Sequence, residues 1–299
     1  MKAIALLNMA AGSHDVSNDH SQVIAAALRA VGIDSEFRNV DGSSLKLEAE
    51  AAAKSAFDIV IVAGGDGTLS AVAGALVGTG KTLGVLPSGT LNHFAKDLRI
   101  PLELSQAAAV IAAGNVTTID VGEVNGRIFI NNSSLGLYPA MVRDRDVARS
   151  TWGLSKWPAV LVATLGVIRH FPLMEVRITT DDASIVRRTP LAFIGNNRYE
   201  LDLFNVGKRM SLIDGELSLY VTRATTRMGM LWLIAKALMG RINTMNNLEA
   251  FALKDCRIAT RLKHIQVAVD GEVVRLVPPL DYRIRSQSLR VCVPKTPLG

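Results

Sequence analysis

Aromatic side chains are scarce in this 299-residue chain, at 5%. Proteins that hold nucleic acid without sequence preference stack bases on aromatic rings, so a nucleic-acid partner is not expected. Cysteine is nearly absent. Cys256 and Cys292 stand in separate alternating stretches, with no CxxC spacing and no histidine companion. That excludes a thiolate metal site and a disulfide framework, and predicts two free thiols in a reducing compartment. No window holds 18 uncharged apolar residues, so no membrane-spanning helix is expected. The opening MKAIALLNMAAG begins like a signal peptide, but its apolar run is short and lacks a cleavage-site context; a buried first strand fits better. GxGxxG is missing from the first strand-to-helix turn, which speaks against a dinucleotide dehydrogenase.

What is present is a core-forming chain. Apolar residues make up 49% and charged residues 20%, the balance of a packed globular protein. The net charge of +6 suits anionic ligands or an anionic membrane surface. No internal repeat or low-complexity tract interrupts it.

The first third alternates between apolar runs and helical patterns. AIALLN (3–8), IDSEFRNV, FDIVIVAGG and TLGVLPSG read as strands. Residues 17–31, SLKLEAEAAAKSA, TLSAVAGALVG and the segment after Pro101 up to Gly114 read as helices. Such alternation predicts a doubly wound parallel sheet with crossover helices. Beyond about residue 118 the period becomes two. Asn125-Gly126, Asp214-Gly215 and Asp270-Gly271 sit between alternating runs and supply the positive φ that two-residue hairpins need. The expected architecture is an α/β nucleotide-binding domain over 1–118 and a mainly antiparallel β domain over 119–299. Helical patterns at 157–171 and 228–242 interrupt the second domain.

Two glycine loops carry the chemistry. The strand ending near residue 63 delivers Gly64, Gly65, Asp66, Gly67 and Thr68 to a helix start. N–H groups at a helix N-terminus attract anions, and glycines let a phosphate approach them. Asp66 would repel a bare phosphate, so it is read as a metal, proton or hydroxyl partner beside one, or as a helix cap. The next strand leads to LPSGTLNHFAKDL, with Gly89, Thr90 and Asn92. The first strand ends at Asn8, with Gly12 beyond it. Parallel strands present such ends on one edge, and three of them describe a polyphosphate cradle. ALVGTGKT (75–82) fits a loose phosphate-loop pattern but stands between helix and strand in the wrong order, so Lys81 is read as a solvated connection residue.

With GGDGT (64–68), LPSGTLNHFA (86–95), the Asn8 loop, NNSSLGLYP (131–139), FIGNNRYE (193–200) and AVDGE (268–272) in this order, the chain resembles the diacylglycerol kinase catalytic-domain family. These are lipid kinases that include bacterial diacylglycerol kinase and the sphingosine and ceramide kinases. The resemblance implies an α/β nucleotide domain, a β-sandwich-like lipid domain and an active site in the cleft. It implies ATP as donor and Mg²⁺ as helper. Asn8, Gly64, Gly65, Asp66, Gly67, Thr68, Gly89, Thr90 and Asn92 would line the nucleotide. Asp270, which its own surroundings make a hairpin turn, would be the general base on the lipid hydroxyl, with Glu272 beside it. SLIDGELSL matches a region holding a structural Mg²⁺ in some bacterial members, which makes Asp214 a candidate ligand. The chain departs from the family in two places: Leu91 and His93 replace a glycine and an acid, and Met9 stands where a proline is usual.

The implied function is ATP-dependent phosphorylation of a lipid hydroxyl, most simply that of a diacylglycerol, by a cytoplasmic protein in peripheral contact with the anionic inner membrane face. NAD kinase shares the glycine–aspartate loop but lacks the SGTLNHFA continuation. A nucleotide- or lipid-binding regulator without catalysis is the other alternative, suggested by His93. The sequence leaves the acceptor lipid open, and the oligomeric state open between monomer and homodimer.

Overall fold

The computed structural model describes residues 2–8, 17–136, 173–180, 183–199, 209, 211–223, 226, 228–229 and 248–295. The helical pattern expected at 157–171, and nearly all of that at 228–242, lie outside the described residues, as does Gly12. No described helix is long and apolar enough to cross a membrane.

The chain divides into two compact units. The first comprises 1–121, 209–215 and 285–299; the second comprises 122–208 and 216–284. This corrects the single boundary expected at 118/119, because the chain returns twice to the first unit. Alternation marks a strand but says nothing of which sheet receives it.

The first unit runs β1 (Ala3–Asn8), α1 (Ser17–Ala30), β2 (Ser35–Val40), α2 (Leu45–Lys54), β3 (Ile59–Gly64), α3 (Asp66–Leu76), β4 (Thr82–Pro87), α4 (His93–Asp97), α5 (Leu104–Ala113) and the start of β5 (Val116–Val124). The strands are parallel in the order β2-β1-β3-β4. β3 and β4 are buried throughout, and β1 along all but Asn8, which is why they read as continuous apolar runs. Each fully buried Ile, Val or Leu there contributes about 1.5–3 kcal/mol. β2 is the edge, half-exposed, with the polar sequence SEFRNV. Right-handed crossovers put α1 on one face and α2 and α3 on the other, making the sheet doubly wound; α2 packs on α3, and α5 on α1. Glu103 caps α5 through the N–H groups of Ser105 and Gln106. Lys81 is not a solvated residue: its ammonium donates to the carbonyls of Ser55 and Phe57 at 2.7 and 2.6 Å. These precede β3, at the end of the strand away from Gly64.

The second unit is antiparallel. It contains the end of β5, then β6 (Arg127–Phe129), β7 (Asn132–Gly136), β8 (Met174–Thr179), β9 (Ser184–Thr189), β10 (Leu191–Asn196), β11 (Leu217–Thr222), β12 (Leu248–Leu253), β13 (Asp255–Thr260), β14 (Ile265–Val269), β15 (Glu272–Leu276) and the start of β16 (Leu280–Cys292). One layer is ordered β12-β11-β10-β7-β14-β15; the other sets β9, β8 and β13 beside β16, with β5 and β6 attached. Leu135, Ile194, Leu219 and Val267 from the first layer share a core with Val176, Ile178, Ile258 and Tyr282 from the second. The buried Ser133 and Tyr282 hydroxyls bond across it at 3.0 Å. The end of β16 serves the first unit, where Arg290 and Val291 pair in parallel with Thr82 and Leu83 of β4.

Two of the three expected hairpins form. Asn125-Gly126 joins β5 to β6, and Asp270-Gly271 joins β14 to β15. Asp214-Gly215 does not. Residues 211–216 belong to no strand, and the Gly215 N–H is given to the Asp120 carboxylate at 2.7 Å instead of a facing strand. Both cysteines are free and buried, and burial pushes their thiols up to about 12 at Cys256 and about 11 at Cys292. At neutral pH neither supplies a thiolate.

Candidate functional site

In the first unit the strand ends are level. Leu7 pairs with Ala63, and Gly64 with Pro87, so Asn8, Gly64 and Pro87 finish on one edge of the sheet. The Ser88 N–H bonds back to the Gly64 carbonyl at 3.2 Å, drawing the second loop over the first. The loops then touch backbone to backbone. A Cβ on Gly89 would lie 2.5 Å from the Gly65 Cα, and one on Gly64 would lie 2.6 Å from the Thr68 Cβ. Close approach of two main chains accounts for Gly89, and crowding by the Thr68 side chain for Gly64. The Asn8 amide donates to the Thr68 hydroxyl at 2.7 Å, tying the first strand end to α3.

The cradle is narrower than expected. Asn92, in the left-handed region at φ 50°, folds its amide back onto Gly89, accepting its N–H at 2.9 Å and donating to its carbonyl at 2.8 Å. Asp66 accepts the N–H of His93 at 3.1 Å and of Phe94 at 3.0 Å. The Gly89, His93 and Phe94 N–H groups are therefore committed inside the protein. What remains for an anion is the N-terminus of α3, where Gly65 as N-cap has no side chain to bond the first-turn N–H groups of Asp66, Gly67 and Thr68. Thr90 and Leu91 project into solvent beside it. Asp66 thus caps α4 from a distance and joins the two loops, a role that sequence spacing does not disclose.

Asp97, unnoticed in the sequence, lies one turn beyond His93 on α4. Its carboxylate takes the Arg209 Nε at 2.7 Å, with side chains 7% and 0% exposed respectively. Burial pushes the Asp97 carboxyl above the usual carboxylate range, and the Arg209 guanidinium pulls the other way. The readable signal is the His-x-x-x-Asp spacing, which puts both on one helix face.

In the second unit Asp270 occupies the turn after β14, at φ 47°. Its carboxylate accepts three backbone N–H groups, from Ile130 at 2.8 Å, Asn131 at 2.8 Å and Asn132 at 3.0 Å, and its own N–H returns to the Asn132 carbonyl at 2.9 Å. Around it, the Asn196 amide donates to the Ile130 carbonyl at 2.9 Å and the buried Tyr199 hydroxyl to the Asn131 carbonyl at 2.8 Å. NNSSLG, FIGNN and VDGE, far apart in sequence, converge on one polar knot. Tyr199 is part of its packing, edge-on to Phe193. Glu272, the first residue of β15, is exposed. Asp214 is exposed too, and no group of three or more His, Cys, Asp or Glu side chains that could hold a metal ion gathers among the described residues.

Comparisons with known proteins bear on this geometry. Residues 2–124 match the family model of the diacylglycerol kinase catalytic domain. A diacylglycerol kinase of Staphylococcus epidermidis is 42% identical over 91 residues, which are 30% of this chain and only 29% of that protein. An uncharacterized protein of Synechocystis is 27% identical over 241 residues, 79% of this chain and 54% of its own length. A crystal structure of a diacylglycerol kinase from Bacillus anthracis superposes with a TM-score of 0.70 at 19% identity, covering 98% of this chain and 97% of that one. At that identity the likeness is one of fold.

Proposed function

We propose that this chain, whose residues 2–124 match the family model of the diacylglycerol kinase catalytic domain, transfers the γ-phosphate of ATP to a lipid hydroxyl, most simply that of a diacylglycerol. The observation that carries this reading is the contact of the two glycine loops at Gly65 and Gly89 beside an uncapped helix N-terminus. A triphosphate needs such a place, and a plain tight turn does not.

The phosphates would lie at the first turn of α3, against the Asp66, Gly67 and Thr68 N–H groups, with Asn8 holding the Thr68 side chain and Asn92 shaping the Gly89–Thr90 turn. A carboxylate has about four lone-pair positions, so Asp66 would meet Mg²⁺ on those that the His93 and Phe94 N–H groups leave. When bound, Mg²⁺ neutralises phosphate charge, the main requirement of phosphoryl transfer. Asp270 would accept the proton of the lipid hydroxyl as its oxygen bonds to the γ-phosphorus and the bond to the departing ADP breaks. Three backbone donors give that carboxylate a fixed direction, which is what a positioned base requires. Glu272 would stand beside it at the rim. The workplace would be the cytoplasmic membrane face: Leu91 and Leu102, 57% and 48% exposed, accompany exposed Lys96, a mixture suited to anionic lipid.

Labelled ATP, Mg²⁺ and a panel of lipids in mixed micelles test the proposal. Labelled phosphatidic acid or another phospholipid is the expected product. Labelled NADP from NAD would replace the reading with NAD kinase. Nucleotide binding without labelled product would make the chain a regulator.

A further inference from the structure

Residues 209–215 are a strap: the chain on either side belongs to the second unit, and these residues belong to the first. Both ends are pinned. Arg209 grips Asp97 at 2.7 Å in a pair almost wholly withdrawn from water. At the other end the Gly215 N–H donates to Asp120 Oδ2 at 2.7 Å, the Leu212 carbonyl accepts the Asp120 N–H at 2.9 Å, and Asp120 Oδ1 takes the Gln287 N–H at 2.7 Å. Between the pins the side chains of Ile213 and Asp214 are turned outward.

This is the stretch where the family resemblance placed a structural Mg²⁺ on Asp214. The donors do not fit one. A hard divalent cation gathers about six oxygen ligands, anionic ones among them. Asp214 faces solvent, and no cluster of three or more ligating side chains forms among the described residues. We infer that Arg209 fastens the strap in place of a bound divalent cation and, through Asp97, positions α4 and the Gly89–Asn92 turn at its head. A buried ion pair adds little net stability compared with apolar packing, but it fixes one arrangement and is costly to break on one side. Those properties suit a positioning residue. The influence on the loop rests on the nucleotide reading above; the fastening does not.

Thermal unfolding without nucleotide, in chelator and again in millimolar Mg²⁺, tests the fastening in the wild type, Asp214→Asn, Arg209→Met and Arg209→Lys. The wild type and Asp214→Asn should melt together in both buffers, while Arg209→Met falls by roughly 6 °C or more in each. Should Arg209→Met not fold, Arg209→Lys carries the same comparison with a smaller drop. A Mg²⁺-dependent rise in the wild type that Asp214→Asn abolishes would overturn the inference, as would Arg209 variants that melt like the wild type. For positioning, the KM for ATP of Arg209→Lys should rise several-fold with the lipid KM unchanged. A lower kcat at unaltered KM would reduce Arg209 to a purely structural role. The unfolding arm reads the same whether or not the chain phosphorylates lipids, so failure of the kinase reading and failure of this one are distinct.

Discussion

Asp270-Gly271 and Asp214-Gly215 are the same dipeptide between similar apolar runs, and the two units use them in opposite ways. At 270–271 both residues take positive φ, 47° and 86°, and close a tight hairpin; the aspartate then serves as an acceptor for the N–H groups of 130–132. At 214–215 only the glycine has positive φ, 71°; the aspartate faces solvent, and the glycine serves as a donor to Asp120. What waits nearby decides. In one place three consecutive N–H groups converge on a carboxylate. In the other, a buried carboxylate takes the N–H groups of Gly215 and Gln287. Hydrogen-bond demand of the surroundings, more than the turn preference of the dipeptide, assigns the role.

That contrast can be broken by substitution. Asp270→Ala should have the largest effect, because it leaves three main-chain N–H groups without their acceptor; at about 1–3 kcal/mol for each such group, roughly 3–9 kcal/mol of stability should vanish in urea unfolding, and phosphate transfer with it. Retained stability would show that the 130–132 N–H groups do not depend on it. Asp66→Asn comes next. The amide keeps one acceptor oxygen for the α4 N–H groups, so about 1–2 kcal/mol is lost while transfer drops at least 100-fold, a drop of about 2.7 kcal/mol in transition-state stabilisation; near-normal turnover would remove Asp66 from the proposed chemistry. The glycines should behave alike despite the different aspartates. Gly271→Ala meets nothing within 4 Å and Gly215→Ala only the Ser286 hydroxyl at 3.4 Å, so each should cost about 1 kcal/mol for the strained backbone alone. Smallest of all, Asp214→Ala should change stability by no more than about 0.5 kcal/mol; a loss near that of Asp270→Ala would erase the distinction.

β1, β3 and β4 were legible because apolar runs led into loops at Asn8, Gly64 and Pro87, and their common edge followed from parallel order. Asn125-Gly126 and Asp270-Gly271 were legible because a two-residue turn is a local event. The fate of Asp214-Gly215 was not, since Asp120 is remote in sequence and nothing in VTTIDVGEV marks its aspartate as buried and in need of donors. The Asp66 loop suggests a phosphate partner, but the grip of this carboxylate on α4 depends on two loops meeting. Arg209 and Asp97, distant in sequence, form an ion pair that no spacing rule connects. Local chemistry can be read from residues in order; long-range pairing of polar groups requires the fold.

β16 has a temporal consequence. During synthesis β4 emerges well before Arg290 and Val291, which pair with its outer side and are made about 200 residues later; at about 5–20 residues per second that is roughly 10–40 s. Through that interval Thr82–Pro87, wholly buried in the finished protein, is a bare apolar edge able to pair with a neighbouring nascent chain. The parallel sheet of the first unit is therefore begun long before β16 completes it, and its yield in the cell should track the chaperones that shield such edges.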